Sequence, residues 1–481
     1  MTVPISARDV VAPGPRGSLL LGSARDLQRD PLGTFERAAA GYGDVVRLVV
    51  GPPGRRVALH LVSHPDGVQQ VLSNTADTYT KGTPFYREIA AYLGDGVLTS
   101  TGHRWRQQRR TLAPLFTHRH IHQQIAMMAG EADRLAHRWA APAATGTPVD
   151  LHAEMTEYTL RVVGRMLFGV DVDQAIPIIR TAFPILSEHV RRRGRTPLNL
   201  PRHWPTPAQR RAADAQRSLY QVVDAIIDQR ACEASGQSDL ISLLLAARDP
   251  QTGAPLSAQD VRDQILIFLL AGHETTSTAL TFTCHLLGHH PDQQRRIHQE
   301  LDQVLGGRAV TADAIGKLTY TTMVIREALR LYPPGYALGR LTSTGDQIGG
   351  YHIPPGSVVI LSPWVTHRRP DLWPDPHQFH PDRFHPTTGA AHHRYAYFPF
   401  AGGPRGCIGE HFAMTEAIIA TAVLLTSYTL TTPPAPITLT TGITLRPAGP
   451  VPCRITTRHP TAGASPSPPL DPQPSNTPQP S

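Results

Sequence analysis

The sequence predicts a mainly α protein with small β-sheets, and two features carry that expectation. Helical periodicity runs through most of the chain, whereas strand-like runs are short and gather toward its two ends. One candidate helix, 257–290, is far longer than the others. At 1.5 Å per residue it spans roughly 50 Å, enough to cross a domain, and a soluble helix of that length is expected at the centre of the fold.

The elements follow in order. Segments 44–50 and 55–62 are rich in apolar and β-branched residues and flank Gly51, Pro52, Pro53 and Gly54, so they predict a hairpin. Pro65 suits the first turn of a helix. Helical spacing then marks 105–116, 122–139, 151–168, 208–231 and 238–247, and Pro201, Pro205 and Pro207 predict a loop between them. Ser257 followed by Asp260 predicts the cap that starts the long helix, and Pro291 its end. Further helices are expected over 291–305, 311–317, 319–331 and 410–427. Short strands are expected over 338–342, 347–353, 357–361, 438–441 and 444–446, with Gly442 at the last bend. The chain contains no internal repeat. It predicts one large unit, 13–458, after a flexible N-terminus, 1–12. The tail, 459–481, holds seven prolines in its last 21 residues and is expected to be disordered.

Composition narrows the function classes. Hydrophobic residues make up 40% and charged residues 17% of 481, as in a globular protein. No signal sequence and no continuous apolar run of about 18 residues is visible, which predicts a cytoplasmic protein without a membrane span. Cys232, Cys284, Cys407 and Cys453 lie far apart with no C-x-x-C spacing, which argues against a zinc site or a disulfide framework. The net charge is +8, but no basic repeat or aromatic-interleaved motif accompanies it, so nucleic-acid binding is not expected. The arginines of 104–110 and 191–195 read as solvated faces, or as a landing site for an acidic protein.

The chemistry concentrates around Cys407. The run Phe400, Ala401, Gly402, Gly403, Pro404, Arg405, Gly406, Cys407, Ile408, Gly409 describes a loop whose backbone approaches something closely. A helix N-terminus just beyond it favours a thiolate over a thiol. A thiolate is a strong axial donor to haem iron, whereas the bland alternative is an inert buried cysteine.

Phe400, Gly403, Arg405, Cys407 and Gly409 fit the F-x-x-G-x-R-x-C-x-G signature at every position, and in this the chain resembles the cytochromes P450. The resemblance implies the P450 fold, with the long helix lying over a haem b. It implies Cys407 as the iron ligand, Gly409 as the point of close access to the ring, and Phe400 packed near the sulfur. Three further motifs occur in the family's order. Ala271, Gly272, His273, Glu274, Thr275 and Thr276 resemble the oxygen-activation motif. Thr275 would then contact O2, Glu274 would feed it protons, and Gly272 would let the helix loosen. The plain reading of Thr275 is a hydroxyl bonded to a carbonyl one turn back. Glu327 and Arg330 match E-x-x-R and, with Arg383 of the Pro381–Phe384 segment, imply a structural ion triad. Trp105 and Arg109 match W-x-x-x-R, which grips a haem propionate, and Arg340 and Arg405 stand where the family places further propionate partners.

By the same resemblance the substrate pocket is lined by Phe85, Tyr86, Ile267, Phe268, Ala271, Tyr336, Ala337, Leu338 and Ile443. They are mostly apolar, which implies a hydrophobic substrate such as a terpenoid, fatty-acyl chain or polyketide. Neither an anchor nor a fused reductase is visible, so the expected enzyme is a monomeric monooxygenase. It would use O2 and draw NAD(P)H electrons through a separate ferredoxin or flavodoxin with its reductase. An acidic donor would dock against Arg104, Arg106 or Arg110. The alternatives are a peroxide-driven peroxygenase, against which the pair Glu274–Thr275 counts, and a non-catalytic haem sensor.

Overall fold

A computed structural model describes residues 10–458, apart from 74–77, 197–198, 203, 233–238, 249–252, 254, 388 and 390–392. Residues 1–9 of the expected flexible N-terminus and the whole tail 459–481 lie outside the described residues.

The long helix is Ala258–His289. The Ser257 hydroxyl accepts from the Asp260 N–H and the Asp260 carboxylate accepts from the Ser257 N–H, so both orphan donors of the first turn are satisfied. By length and composition this is one helix apolar enough to cross a membrane, yet its most apolar stretch is 83% buried inside the protein. It packs against helices Leu151–Val163, Thr319–Leu331 and Glu410–Ser427. A helix that is apolar on all sides belongs in such a core.

The principal sheet has five strands, in the order Val45–Val50, Val57–Val62, Val358–Leu361, Leu338–Thr342 and Tyr79–Thr80. The first two form the expected hairpin, and Val57–Val62 pairs parallel with Val358–Leu361. At the far edge Thr80 pairs with Leu341, which sets Lys81 beside Arg340. The hairpin Leu439–Thr441 with Leu445–Pro447 turns at Gly442. The expected strand 347–353 is instead a hairpin, Asp346–Ile348 with Tyr351–Ile353. Gly349 (φ 56°) and Gly350 (φ 84°) supply the positive φ angles of its turn.

Several elements depart from the expectation. Helix Ile176–Arg195 was hidden by Pro177, which sits harmlessly in its first turn, and by Pro184, which it accommodates internally. Helices Ala24–Arg29 and Pro31–Tyr42 and the short strands Tyr428–Thr431 and Pro452–Thr457 were also not foreseen. The helix expected over 151–168 stops at Val163 and finishes in a wider π turn, Gly164–Phe168. The helix expected over 311–317 shrinks to Ala312–Ile315.

The arginines of 191–195 are also not a free solvated face. Arg191 pairs with Glu188, Arg193 with Glu88 at 2.9 Å, and Arg195 donates to the Tyr336 hydroxyl. Arg104 bridges Asp95 at 3.3 Å and Asp260 at 2.5 Å. Arg104, Arg193 and Arg195 thereby tie elements together.

Glu327, Arg330 and Arg383 come together in the interior. Arg330 meets both Glu327 oxygens, at 2.7 and 2.8 Å, with neither side chain exposed. Arg383 Nε lies 3.3 Å from Glu327 Oε1, which also accepts from the His380 N–H at 2.9 Å. The other Arg330 donors take the carbonyls of His367, Pro376 and Gln378 at 2.7–3.0 Å. Every charge in this buried group is compensated, and so removing one partner is costly. Glu327→Ala leaves Arg330 buried without its counter-ion. It should lower stability by about 3–5 kcal/mol, measured by denaturant unfolding of the soluble fraction; a loss under about 1 kcal/mol, as for an exposed pair, would show that the site tolerates a free charge.

Candidate active site

The loop from Phe398 to Gly409 is shaped by what it must pass. A side chain at Gly403 (φ 63°) would collide with the Leu72 carbonyl at 1.8 Å, and one at Gly402 with the Tyr395 ring at 2.6 Å. At Gly409 a side chain would meet only Phe116, at 3.8 Å, because its open side faces the cavity. The Cys407 N–H donates to the Phe400 carbonyl at 2.9 Å, closing the loop under the sulfur. The loop is anchored to the ion triad through His367. Its Nε2 accepts from the Phe398 N–H at 3.0 Å, and burial holds the ring neutral and able to accept.

Cys407 opens onto a cavity of about 280 Å³ for water-sized groups. One wall is the long helix, contributing Ile267, Phe268, Ala271, Gly272, Thr275 and Thr276. The opposite wall is the cysteine loop with Phe400, Gly409 and the start of helix Glu410–Ser427. Burial pushes the Cys407 thiol up, while the Gly409 N–H, Arg109 and Lys81 favour its anion. A metal cation bound at the sulfur would add to the groups that favour the anion.

Four cations share one rim of the cavity: Lys81, Arg109, Arg340 and Arg405. No acidic side chain lines it among the described residues. Arg405 Nη2 donates to the Ser100 carbonyl at 2.5 Å, its guanidinium lies 4.4 Å from the Trp105 ring centroid, and its buried Nη1 has no partner. Lys81 donates to the Leu98 carbonyl at 2.9 Å, and burial with Arg340 and Arg405 drives its pKa well below the usual lysine range. Arg405 is lowered to about 10, first by burial and then by Arg340. Buried cations this crowded call for anions. A flat group bearing two carboxylates, with iron over the sulfur, satisfies Arg405 Nη1 and the rim at once. The residues present fit a haem. Lys81 was not foreseen, since a lone lysine beside a short strand carries no signal until strand pairing sets it against Arg340.

The distal residues sit differently from expectation. Thr275 lines the cavity, but its hydroxyl donates to the Ala271 carbonyl at 2.7 Å. Gly272 does not loosen the helix, which is continuous there. It makes room for Val163, whose Cγ2 lies 2.7 Å from where a side chain would begin. Glu274 is buried behind the helix rather than in the cavity, with Oε1 3.8 Å from Arg446 Nε; burial raises its pKa.

Of the expected pocket residues, Tyr86, Ile267, Phe268, Ala271 and Leu338 line the cavity. Phe85, Tyr336, Ala337 and Ile443 do not. Phe85 is packed over Gly194. The Tyr336 hydroxyl is held by Arg195 and the Gly442 carbonyl, and Ala337 packs in the core around Trp364. Ile443 is fixed by its N–H to the Ser187 hydroxyl at 3.0 Å. Val97, Leu98 and Leu167 take their places, brought in by tertiary packing.

A long helix over a cysteine loop, with a basic rim between, defines a haem-thiolate fold. The family model for cytochrome P450 matches residues 12–453. The chain is 39% identical to cyclooctatin synthase of Streptomyces melanosporofaciens, over 87% of this chain and 89% of that one. It is 35% identical to cyclooctat-9-en-7-ol 5-monooxygenase of the same organism, over 85% and 87%. The crystal structure of the cytochrome P450DA heme domain superposes with a TM-score of 0.81 at 27% identity, covering 94% of this chain and 99% of that one. The protein belongs to the cytochrome P450 family and is a haem b monooxygenase.

Lys81→Met removes one rim donor. A charge-assisted hydrogen bond is worth about 1.5–3 kcal/mol, so haem transfer to a scavenger protein should quicken roughly 10- to 100-fold. An unchanged rate would take Lys81 out of the haem site.

Proposed function

We propose that this monooxygenase hydroxylates a terpenoid, with Cys407 as the axial ligand of its haem. The observation that carries this reading is the placement of Cys407 on the floor of a cavity whose far wall is apolar and whose rim is uniformly cationic. The likeness to cyclooctatin synthase and cyclooctat-9-en-7-ol 5-monooxygenase supports the substrate class.

Bound haem supplies the activation of O2, and the chain's residues arrange everything around it. Cys407 would hold the iron, while Lys81, Arg109, Arg340, Arg405 and Trp105 would hold the propionate edge. Tyr86, Val97, Leu98, Ile267, Phe268 and Leu338 exclude water and orient an apolar substrate by shape. Thr275 is a polar group of the long helix on the cavity wall, one turn from Ala271. Its hydroxyl proton leaves the Ala271 carbonyl to serve the reacting oxygen, and Glu274 resupplies it.

Electrons come from NAD(P)H through a ferredoxin or flavodoxin and its reductase, in the cytoplasm, to a monomeric enzyme. Arg104 is held by Asp95 and Asp260, and Arg106 and Arg110 are exposed on the same helix, where an acidic donor would dock. Turnover driven by peroxide alone, with none from the donor system, would favour the peroxygenase reading.

Two outcomes test this. Cys407→Ser should abolish both the thiolate-type carbon-monoxide spectrum and oxygenation; a variant that keeps both overturns the ligand assignment. Thr275→Ala should still give the ferric spin-state shift with cyclooctat-9-en-7-ol but send most electrons to hydrogen peroxide. Unchanged product per electron pair would reduce Thr275 to its bond with Ala271.

A further inference from the structure

The segment 94–100, between helices Pro84–Leu93 and Gly102–Leu112, forms no helix or strand of its own and carries Val97 and Leu98 into the cavity wall. Buried backbone outside a helix or sheet must find its partners among side chains, and this segment finds them on two sides. From the long helix, Asp263 Oδ2 accepts from the Asp95 N–H at 2.8 Å, and Gln264 Oε1 accepts from the Val97 N–H at 3.1 Å. From the cavity rim, Lys81 donates to the Leu98 carbonyl at 2.9 Å and Arg405 to the Ser100 carbonyl at 2.5 Å. Gln108 adds a bond to the Asp95 carbonyl at 3.0 Å. Two glycines let the segment lie this close to the long helix. A side chain at Gly94 would begin 2.2 Å from the Asp263 carboxyl carbon, and one at Gly96 would begin 3.0 Å from Gln264 Oε1.

We propose that Gln264, supported by Asp263, is a positioning residue for substrate selection: it fixes Val97 and Leu98 in register against the long helix and so sets the width of the cavity. Gln264, Ile267, Phe268 and Ala271 fall on one face of the helix, at spacings of three and four residues. The last three line the cavity and Gln264 does not, because its side chain is spent on the Val97 N–H. The helix face that meets the substrate thus begins with the group that hangs the neighbouring wall on it. Gln264 is only 2% exposed and Asp263 5%. Water therefore does not replace either acceptor, and losing one leaves a backbone N–H unpaired. Asp263 is itself steadied by Gln259, which donates to Oδ1 at 2.5 Å.

This deepens the reading of the cavity as a haem-thiolate substrate site and rests on it. Among the described residues no acid lines the cavity, and the wall that Val97 and Leu98 share with Ile267 and Phe268 is apolar. Such a site selects by shape and width, and width is what the register of this segment controls. Lys81 and Arg405 hold the other end of the segment with one donor each, so the cations of the rim also serve the wall. If the bonds of Gln264 and Asp263 merely satisfied buried backbone, their loss would lower stability and leave the discrimination between ligands of different size untouched.

The test compares two iron ligands of different size, imidazole and 4-phenylimidazole, titrated into the ferric holoenzyme and read by their optical shifts, so that no terpenoid is needed. Gln264→Met keeps the length of the side chain and loses the acceptor. Amide exchange over 94–98, followed by mass spectrometry, should become severalfold faster in this variant. The ratio of the two dissociation constants should shift severalfold in favour of the larger ligand, with imidazole itself bound as in wild type. Gln264→Glu keeps an accepting oxygen and should restore both. Faster exchange with an unchanged ratio would reduce Gln264 to a role in stability and overturn the proposal; unchanged exchange would overturn it as well. Should Gln264→Met fail to load haem, Gly96→Ala presses on the same contact from the segment side, and an unchanged ratio there is equally contrary. Wild-type protein that binds neither imidazole would instead refute the haem-thiolate reading beneath it.

Discussion

Four cations and one sulfur face a single cavity whose walls offer them no acid. That imbalance is the constraint on which the site depends. Lys81 and Arg405 are both lowered by burial and by neighbouring cations, and an anion placed at the rim would favour the charged form of each. A haem answers it twice, with carboxylates for the rim and a metal cation for the sulfur. The pairing of Tyr79–Thr80 with Leu338–Thr342 is what brings Lys81 and Arg340 to the rim.

A second buried charge group keeps the sulfur in place. Glu327 and Arg330 would gain little from each other on a surface. Inside, Arg330 also ties down the carbonyls of His367, Pro376 and Gln378, and His367 in turn receives the Phe398 N–H at the entrance to the cysteine loop. The triad thereby fixes the loop without touching the cavity. The two charge groups differ in kind: the triad is complete within the chain, and the rim is complete only with its ligand.

Much of this was legible in the sequence, and the reasons for the rest are specific. The long helix announced itself by length and by the Ser257/Asp260 cap, and the cysteine loop by glycines that only a close approach explains. Helix Ile176–Arg195 was masked by Pro177 and Pro184, whose effect depends on position in the helix. The family resemblance implied that Tyr336 and Ala337 would line the pocket beside Leu338. The Tyr336 hydroxyl instead found Arg195, a partner 141 residues away in sequence that no local pattern reveals. Lys81, Val97 and Leu98 reach the site only through tertiary pairing. Glu274 was recognised by its neighbours in the motif, but its neighbour across the fold, Arg446 at 3.8 Å, lies far along the chain.

The central claim is a bond between the Cys407 sulfur and iron, made in a slot the protein has shaped for both. Iron-edge X-ray absorption on the purified ferric protein addresses it without reference to substrate or redox partner. The account predicts one sulfur in the iron's first shell alongside the porphyrin nitrogens. A first shell of nitrogen and oxygen alone would contradict it.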